Sequence, residues 1–257
     1  MEDQASRHLR VLQVLEQLAN ATYPQTLAQL AQRTGLPKTT LMRMLHALEK
    51  SAYVSKLPGE TGYTPGPRAN HLALRVIRTP HFLRACRAVL GKLVAVTGES
   101  CNLTALSGDA VQYLARVETT ETLRLQLHLE TGVHVPLHCT ASGKLFLAFM
   151  PQRQQQQALD RIELIPLTAK TLIRREELET EIARIRSQSM GVDNEEFIQG
   201  MVAVSVPVYD AQSNVIAAVA CHAPTARASL TRLAEFMPAM RMAALEMTAV
   251  FRDVGQS

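Results

Sequence analysis

The chain has 257 residues and a mass of 28.3 kDa, a length that suits two modest domains or one large domain. Hydrophobic residues make up 47% of the sequence, but aromatic residues only 4%, so its cores must be built mainly from Leu, Val, Ala and Met. No apolar run reaches membrane-spanning length, and the N-terminus lacks a signal-peptide core. We therefore expect a soluble, cytoplasmic protein without a membrane partner.

The net charge of +4 is unevenly distributed. Residues up to Arg78 include ten Lys or Arg and five Asp or Glu, a net +5, whereas the remainder carries −1. This asymmetry is expected when one domain meets a polyanion and the other does not. The excess is small, so charge by itself does not establish nucleic-acid binding.

Two short amphipathic helices joined by a tight turn are predicted near the N-terminus. The first spans Leu27 to Arg33, with Thr26 and Gln29 placed for a capping box, and Gly35 supplies the turn. An earlier helix is predicted over Arg7 to Leu18. Its apolar spine consists of Leu9, Leu12, Leu15 and Leu18.

The second helix of the pair spans Pro37 to Lys50 and has an inward apolar stripe. A polar and cationic set faces outward, as in a recognition helix that meets phosphates and major-groove base edges. This set comprises Lys38, Thr39, Thr40, Arg43 and His46. The alternative is an ordinary helical hairpin with a solvated polar face.

A hairpin follows these helices, which is the arrangement of a winged helix. Strands are predicted at Tyr53–Ser55 and Tyr63–Thr64, with a turn over 58–62. A linker helix spans Arg68 to Ile77, and Thr79 and Pro80 end it. We predict a winged helix-turn-helix over 1–66, a linker helix over 67–80 and an effector domain over 81–257.

The second half alternates helices and strands in an order that predicts an α+β fold, with helices packed on an antiparallel sheet. The predicted helices are Phe82–Thr97, Ala141–Phe149, Glu176–Met190 ended by Gly191, and a long closing helix, Leu230–Phe251. The predicted strands are Cys101–Leu106, Val111–Val117, Leu123–Leu129, Val192–Phe197, Val202–Tyr209 and Val215–His222. The glutamines of Gln154–Gln157 are expected on a solvated helix face.

Five runs, in order, resemble the IclR-type bacterial transcriptional regulators over nearly the whole chain. They are GLPKTTLMRMLHALEKSAYV, GYTPGPR, VPLHCTASGKLFLAF, GVDNEEFIQG and VSVPVYDAQSNVIAAVA. The resemblance implies a GAF-like effector fold, subunit pairing through the N-terminal and linker helices, and a small organic acid as effector. We expect a dimer, or two dimers paired as a tetramer, on a palindromic double-stranded DNA operator.

The resemblance also implies a set of effector-binding residues: Ala141, Ser142, Asp193, Met201, Ala203, Ala220 and His222. This chain departs from the family pattern at Val202, where an Arg is common, and at Ala203, Ala220 and His222, where small polar residues are usual. One pocket wall should then be less polar, which favours a carboxylate with an apolar or aromatic body. His222, when protonated, would pair with that carboxylate and make affinity pH-dependent near the usual His range.

The sequence gives little support to the alternatives that the protein is an enzyme or that it holds a metal ion. A triad of Ser142, His138 and Asp193 lacks the nucleophile-elbow motif, and the scattered cysteines form no CxxC pair. Lys144 is interpreted as an ion-pair partner. We expect no catalytic residue, metal or cofactor, and keep two rivals: a metabolic enzyme acting on a small acid with an attached helical domain, and a ligand-independent DNA binder.

Overall fold

The computed structural model describes residues 2–21, 23–56, 61–120 and 132–253, and divides the chain into two compact units, 1–78 and 79–257. The elements of the first unit are α1 (Glu2–Ala19), α2 (Leu27–Thr34), α3 (Lys38–Lys50), β1 (Val54–Ser55), β2 (Thr64–Pro65) and α4 (Pro67–Val76). Strands β1 and β2 pair antiparallel as the hairpin after α3. Most of the predicted wing turn, residues 58–60, lies outside the described residues.

Local sequence signals explain where the helix-turn-helix begins and turns. The Thr26 hydroxyl accepts the Gln29 N–H at 3.3 Å, and the Gln29 side chain accepts the Thr26 N–H at 2.8 Å. Gly35 ends α2 with φ +69°, a left-handed conformation that costs glycine little. The predicted capping box and turn are both confirmed.

The apolar spine predicted for α1 is confirmed at Leu15 and Leu18 but wrong at Leu9 and Leu12. Val14 and Leu18 are buried against α2 and α3, whereas Leu9 and Leu12 are 63% and 55% exposed. An α-helix has 3.6 residues per turn, so residues spaced three apart in sequence move progressively around its circumference. Leu9 and Leu18 therefore lie on opposite faces of α1. The small core therefore leaves an apolar strip of α1 uncovered within this unit.

The second unit confirms the predicted α+β class. Its helices are α5 (Pro80–Thr97), α6 (Ala141–Phe149), α7 (Gln152–Arg161), α8 (Arg175–Gln188), α9 (Leu230–Glu235) and α10 (Met237–Asp253). Its strands are β3 (Ser100–Ser107), β4 (Ala110–Val117), β5 (His134–Pro136), β6 (Gly191–Asn194), β7 (Met201–Tyr209) and β8 (Val215–Pro224). They form one antiparallel sheet in the order β5-β4-β3-β8-β7-β6.

Several element predictions for this unit need correction. Ser189, with φ +51°, caps α8, and Gly191 begins β6. The closing helix is two helices that break at Phe236. Gln155 is buried, and its amide donates to the Leu147 carbonyl at 2.7 Å, so the glutamine run is not a solvated face.

The sheet has one face toward α5 and the other toward α6. Thr97 at the end of α5 contacts the Cys101 thiol at 3.9 Å, so Asn102, the next residue, points to the α6 side. Strand β5 was not predicted, and the predicted strand Leu123–Leu129 lies outside the described residues. Across the described part of the chain, no helix is both long and apolar enough to cross a bilayer.

Candidate functional site

Thr39, Arg43 and His46, three of the five predicted DNA-contacting residues, lie on one face of α3, and Lys38 and Thr40 flank it in the first turn. Leu41, Leu45 and Leu48 anchor the opposite face in the core. Met42 is also exposed, at 56%, and it was not among the predicted contacts, although an apolar side chain suits a thymine methyl group. The polar surface consists of Lys38, Thr39, Arg43 and His46, which are exposed, and Thr40, which is half-buried.

The seven predicted effector-binding residues line a single cavity of about 40 Å³ in the second unit. They are Ala141, Ser142, Asp193, Met201, Ala203, Ala220 and His222. Other lining residues, among them Asn102, Thr104, Tyr113, Phe197 and Ile198, were not predicted. The cavity has room for one or a few water molecules as it stands.

Strand register brings distant parts of the chain to this cavity. Asp193, Ala203 and His222 lie directly opposite one another on β6, β7 and β8. Ala220 is opposite Asn102 on β3 in a neighbouring row. Directly paired residues share a face of the sheet, so all five side chains point toward the side that α6 covers.

The N-terminus of α6 forms a polar wall of the cavity. The Thr140 hydroxyl accepts the Gly143 N–H at 3.1 Å, and the first intrahelical bond runs from the Lys144 N–H to the Thr140 carbonyl. The N–H groups of Ala141 and Ser142 therefore have no acceptor within the helix. Together with the positive end of the helix dipole, they favour an anion.

Asp193 is held in place by backbone donors. Its Oδ1 accepts the N–H groups of Glu196 at 2.8 Å and Phe197 at 3.3 Å. Burial raises the pKa of this carboxyl group to about 7. In its protonated form Asp193 is able to donate a hydrogen bond to a bound carboxylate, which its ionised form would repel.

A buried ion pair fixes the loop that follows Asp193. The Lys144 side chain is fully inaccessible and its ammonium group binds the Glu196 carboxylate, with Glu181 at 4.0 Å. Thr171 donates to the Glu196 carbonyl at 2.6 Å from the other side. The interpretation of Lys144 as an ion-pair partner is confirmed.

The expectation for His222 is wrong in one respect. Burial, together with the charges of Arg116 and Arg227, lowers the pKa of His222 to about 3. The imidazole is therefore neutral at physiological pH and does not form an ion pair with a carboxylate there. Its Nδ1 lies 3.3 Å from the Asn102 amide nitrogen.

The His and Cys side chains considered above for catalysis or metal binding include His138 and Cys139, which are both buried. His138 Nε2 is 3.1 Å from the Ile165 carbonyl, and burial raises the pKa of the Cys139 thiol to about 12. Within the described ranges, no three His, Cys, Asp or Glu side chains are grouped to hold a metal ion. All four cysteines are free and buried: Cys86, Cys101, Cys139 and Cys221.

Substitution of Asp193 by Asn is expected to flatten the dependence of stability on pH. The pKa of Asp193 is raised on folding, so its contribution is fully present below the unfolded pKa near 4 and is lost as pH rises through about 7. Melting temperatures of the parent, relative to those of Asp193→Asn, should therefore fall between about pH 4 and pH 7. A difference that is constant over this range would contradict the raised pKa.

The first unit is a helix-turn-helix with an exposed cationic face. The same chain continues into an α+β unit with a mainly apolar cavity, and this combination is the architecture of a DNA-binding regulator. Residues 9–58 match the profile of the IclR helix-turn-helix domain, and residues 75–249 match that of the bacterial transcriptional regulator IclR C-terminal domain. The chain belongs to the IclR family of bacterial transcriptional regulators.

Individual relatives agree with this assignment. The chain is 43% identical over 243 residues to the probable transcriptional regulator SauR of Cupriavidus necator, covering 95% of this chain and 96% of that protein. A crystal structure of an IclR-family regulator from Rhodococcus sp. matches with 25% identity and a TM-score of 0.67, over 96% and 93% of the two chains. The inducer-binding domain of PobR from Acinetobacter, a double mutant in complex with 3-hydroxybenzoic acid, shares the fold with 24% identity and a TM-score of 0.60, over 65% of this chain and 97% of that one.

Proposed function

We propose that this chain is a ligand-responsive transcriptional regulator, a repressor or an activator, whose second unit binds a small organic acid. The observation that carries the proposal is the cavity, which places two helix N–H groups, a carboxyl group with a pKa near 7 and an apolar wall around one buried space. The proposed division is a winged helix-turn-helix over 1–66, a linker over 67–80 and an effector domain over 81–257. Double-stranded DNA as partner implies a cytoplasmic location.

The proposed effector has a carboxylate and an apolar body. Its carboxylate binds the N–H groups of Ala141 and Ser142, and its body contacts Met201, Ala203 and Ala220. An apolar cavity that holds benzene measures about 150 Å³, so an aromatic ring requires the cavity to expand. The space of about 40 Å³ favours an aliphatic body of a few carbons over a ring.

The effector must bind one dimer geometry better than another, because equal affinity for both would leave DNA binding unchanged. Exposed apolar side chains on α1 and α4 support assembly through the DNA-binding unit: Leu9, Leu12, Leu72 and Val76. We propose a two-fold dimer, or two such dimers paired, on a palindromic operator.

Light scattering should accordingly show at least a dimer at micromolar concentration. The double variant Leu9→Glu/Leu12→Glu should shift the protein toward the monomer, because it places charges in the proposed interface. Leu106→Glu, at an exposed apolar site on the sheet of the second unit, serves as the control. A parent protein that is monomeric under these conditions would refute the assembly proposal.

A gel-shift titration with promoter DNA, combined with a panel of aliphatic and aromatic acids, tests the function as a whole. DNA affinity should fall with rising salt, and the best acid should change DNA affinity and raise the melting temperature. Ser142→Trp should lose the response to the acid but still bind DNA, because the indole fills the cavity. Turnover of an acid without DNA binding would instead favour the metabolic-enzyme alternative.

Arg43→Ala is expected to weaken binding to the operator by about 1–3 kcal/mol if Arg43 reads a base. If the side chain meets only a phosphate, the slope of log affinity against log salt should fall by about one. Lys50→Ala is the matched control, since Lys50 is exposed at the far end of the same helix. Operator affinity unchanged by Arg43→Ala would remove this residue from the interface.

A further inference from the structure

Arg116 on β4 is a buried cation that none of the predicted contacts include. Its side chain is only 9% exposed, and its Nε and Nη1 atoms make no hydrogen bond to the described residues. Among the described residues it forms an ion pair with Glu118, whose Oε1 lies 3.3 Å from Nε. A buried guanidinium with two nitrogen atoms that make no hydrogen bond is costly, which indicates that a further acceptor belongs beside it.

Asn102 connects Arg116 to the cavity. The two residues lie directly opposite each other on β3 and β4, so their side chains share the face of the sheet that carries the cavity. Asn102 is 2% exposed and lines the cavity, and its Oδ1 has no hydrogen-bond partner among the described residues. The amide nitrogen of Asn102 is paired with His222, and its Oδ1 is an acceptor, so Asn102 positions His222 and does not itself bind an anion.

His222 adds a hydrogen-bond donor, its ring N–H group, to the same end of the cavity. The Asn102 Nδ2 group donates to His222 Nδ1 at 3.3 Å, in the amide orientation that the structure assigns. A neutral imidazole that accepts at Nδ1 carries its proton on Nε2. His222 therefore presents an N–H donor beside the unpartnered groups of Asn102 and Arg116.

This polar cluster and the first anion anchor meet different parts of one cavity. The start of α6 lies over β6, since a Cβ atom on Gly191 would be 2.2 Å from the Ala141 carbonyl oxygen. Asn102 is on β3, three strands from β6 in the sheet, but its side chain lines the same cavity of about 40 Å³ as Ala141 and Ser142, so a molecule of a few carbons can reach both ends. Ala203 and Ala220 lie on the strands between, so an apolar floor separates two polar ends.

We propose that Arg116 and His222, with His222 oriented by Asn102, form a distal subsite that binds a second anionic, oxygen-bearing group of the effector, which is therefore a short two-ended acid. The inference rests on the proposed function, because the first carboxylate is anchored at α6. The Arg116 guanidinium supplies a charge-assisted, forked contact, and the bound anion replaces or shares its contact with Glu118. The small apolar side chains between the ends fit a spacer of a few carbons.

Calorimetry with matched pairs of acids tests the distal subsite. Malonate and succinate should bind the parent protein at least tenfold more tightly than propionate and butyrate of the same chain length. Arg116→Met should bring this ratio close to one, because it keeps the aliphatic stem but removes the guanidinium. Arg116→Gln provides a second neutral variant, and thermal unfolding checks that each variant is folded. Glu118→Gln, which removes the competing carboxylate, should preserve or increase the ratio.

The outcomes separate this inference from the function on which it rests. If monocarboxylates bind and Ser142→Trp abolishes their binding, but dicarboxylates gain nothing, the distal subsite is wrong and the effector function stands. If the preference for dicarboxylates survives in both neutral variants of Arg116, the subsite is also wrong. If no acid binds the parent protein, the acid-sensing function fails, and the distal subsite fails with it.

Discussion

Replacement of Lys144 by Met is expected to lower the free energy of unfolding of the second unit by about 3–5 kcal/mol. Lys144 is fully buried, and its ammonium group is paired with Glu196, which is only 5% exposed. Without the lysine, the Glu196 carboxylate is left buried and uncompensated, or it must take up a proton, and burial already raises the pKa of Glu196. Urea denaturation of the full chain, followed by circular dichroism, measures the loss as a lower midpoint at constant slope.

Two control variants show whether burial of the Lys144–Glu196 ion pair causes the loss of stability. Lys92→Met also removes an ion pair, with Glu246, but the lysine side chain is 70% exposed, so the cost should stay below about 1 kcal/mol. The double variant Lys144→Met/Glu196→Met should recover much of the stability, because no unpaired charge remains in the core. A Lys144→Met protein as stable as Lys92→Met would show that the buried pair contributes little.

Gly191→Ala is expected to destabilise the second unit by about 1–3 kcal/mol, through overpacking. An added Cβ atom would lie 2.2 Å from the Ala141 carbonyl oxygen and 2.3 Å from the Ser205 hydroxyl oxygen. Relief of this clash requires the first turn of α6 to move away from β6. Because that turn carries the proposed carboxylate anchor, acid binding should weaken together with stability, as measured by denaturation and calorimetry.

Gly91→Ala is the matched control for this substitution. Gly91 lies within α5, and an added Cβ atom would have no neighbour within 4 Å. Alanine is the better helix former, so this change should stabilise the protein by up to about 1 kcal/mol. Equal effects of the two alanine substitutions would mean that the close approach at Gly191 is not rigid.

Features encoded by a few neighbouring residues were predictable from the sequence. The capping box of Thr26 and Gln29, the turn at Gly35 and the start of α6 after Thr140 each depend on contacts within four residues. The apolar stripe of α3 was predicted because a helix repeats every 3.6 residues. Seven of the residues that line the cavity were named from the family resemblance, not from such local rules.

Features that depend on the register of distant strands were not predictable. Asn102 and Arg116 are fourteen positions apart in the sequence, and they meet only because β3 and β4 pair across an irregularity between Leu103 and Thr104. Periodicity also failed where tertiary packing selects the buried face. It assigned Leu9 and Leu12 to the core of α1, and it left Gln155, which is buried against the Leu147 carbonyl, on the surface.

The backbone-held carboxyl group of Asp193 makes the proposed sensor a proton-coupled one. If a ligand carboxylate binds best when Asp193 is protonated, binding near neutral pH must take up part of a proton from solution, by thermodynamic linkage. Occupancy then follows the product of acid and proton concentrations, not the acid alone. A cell that accumulates a weak acid also becomes more acidic, so both changes would drive this regulator in the same direction.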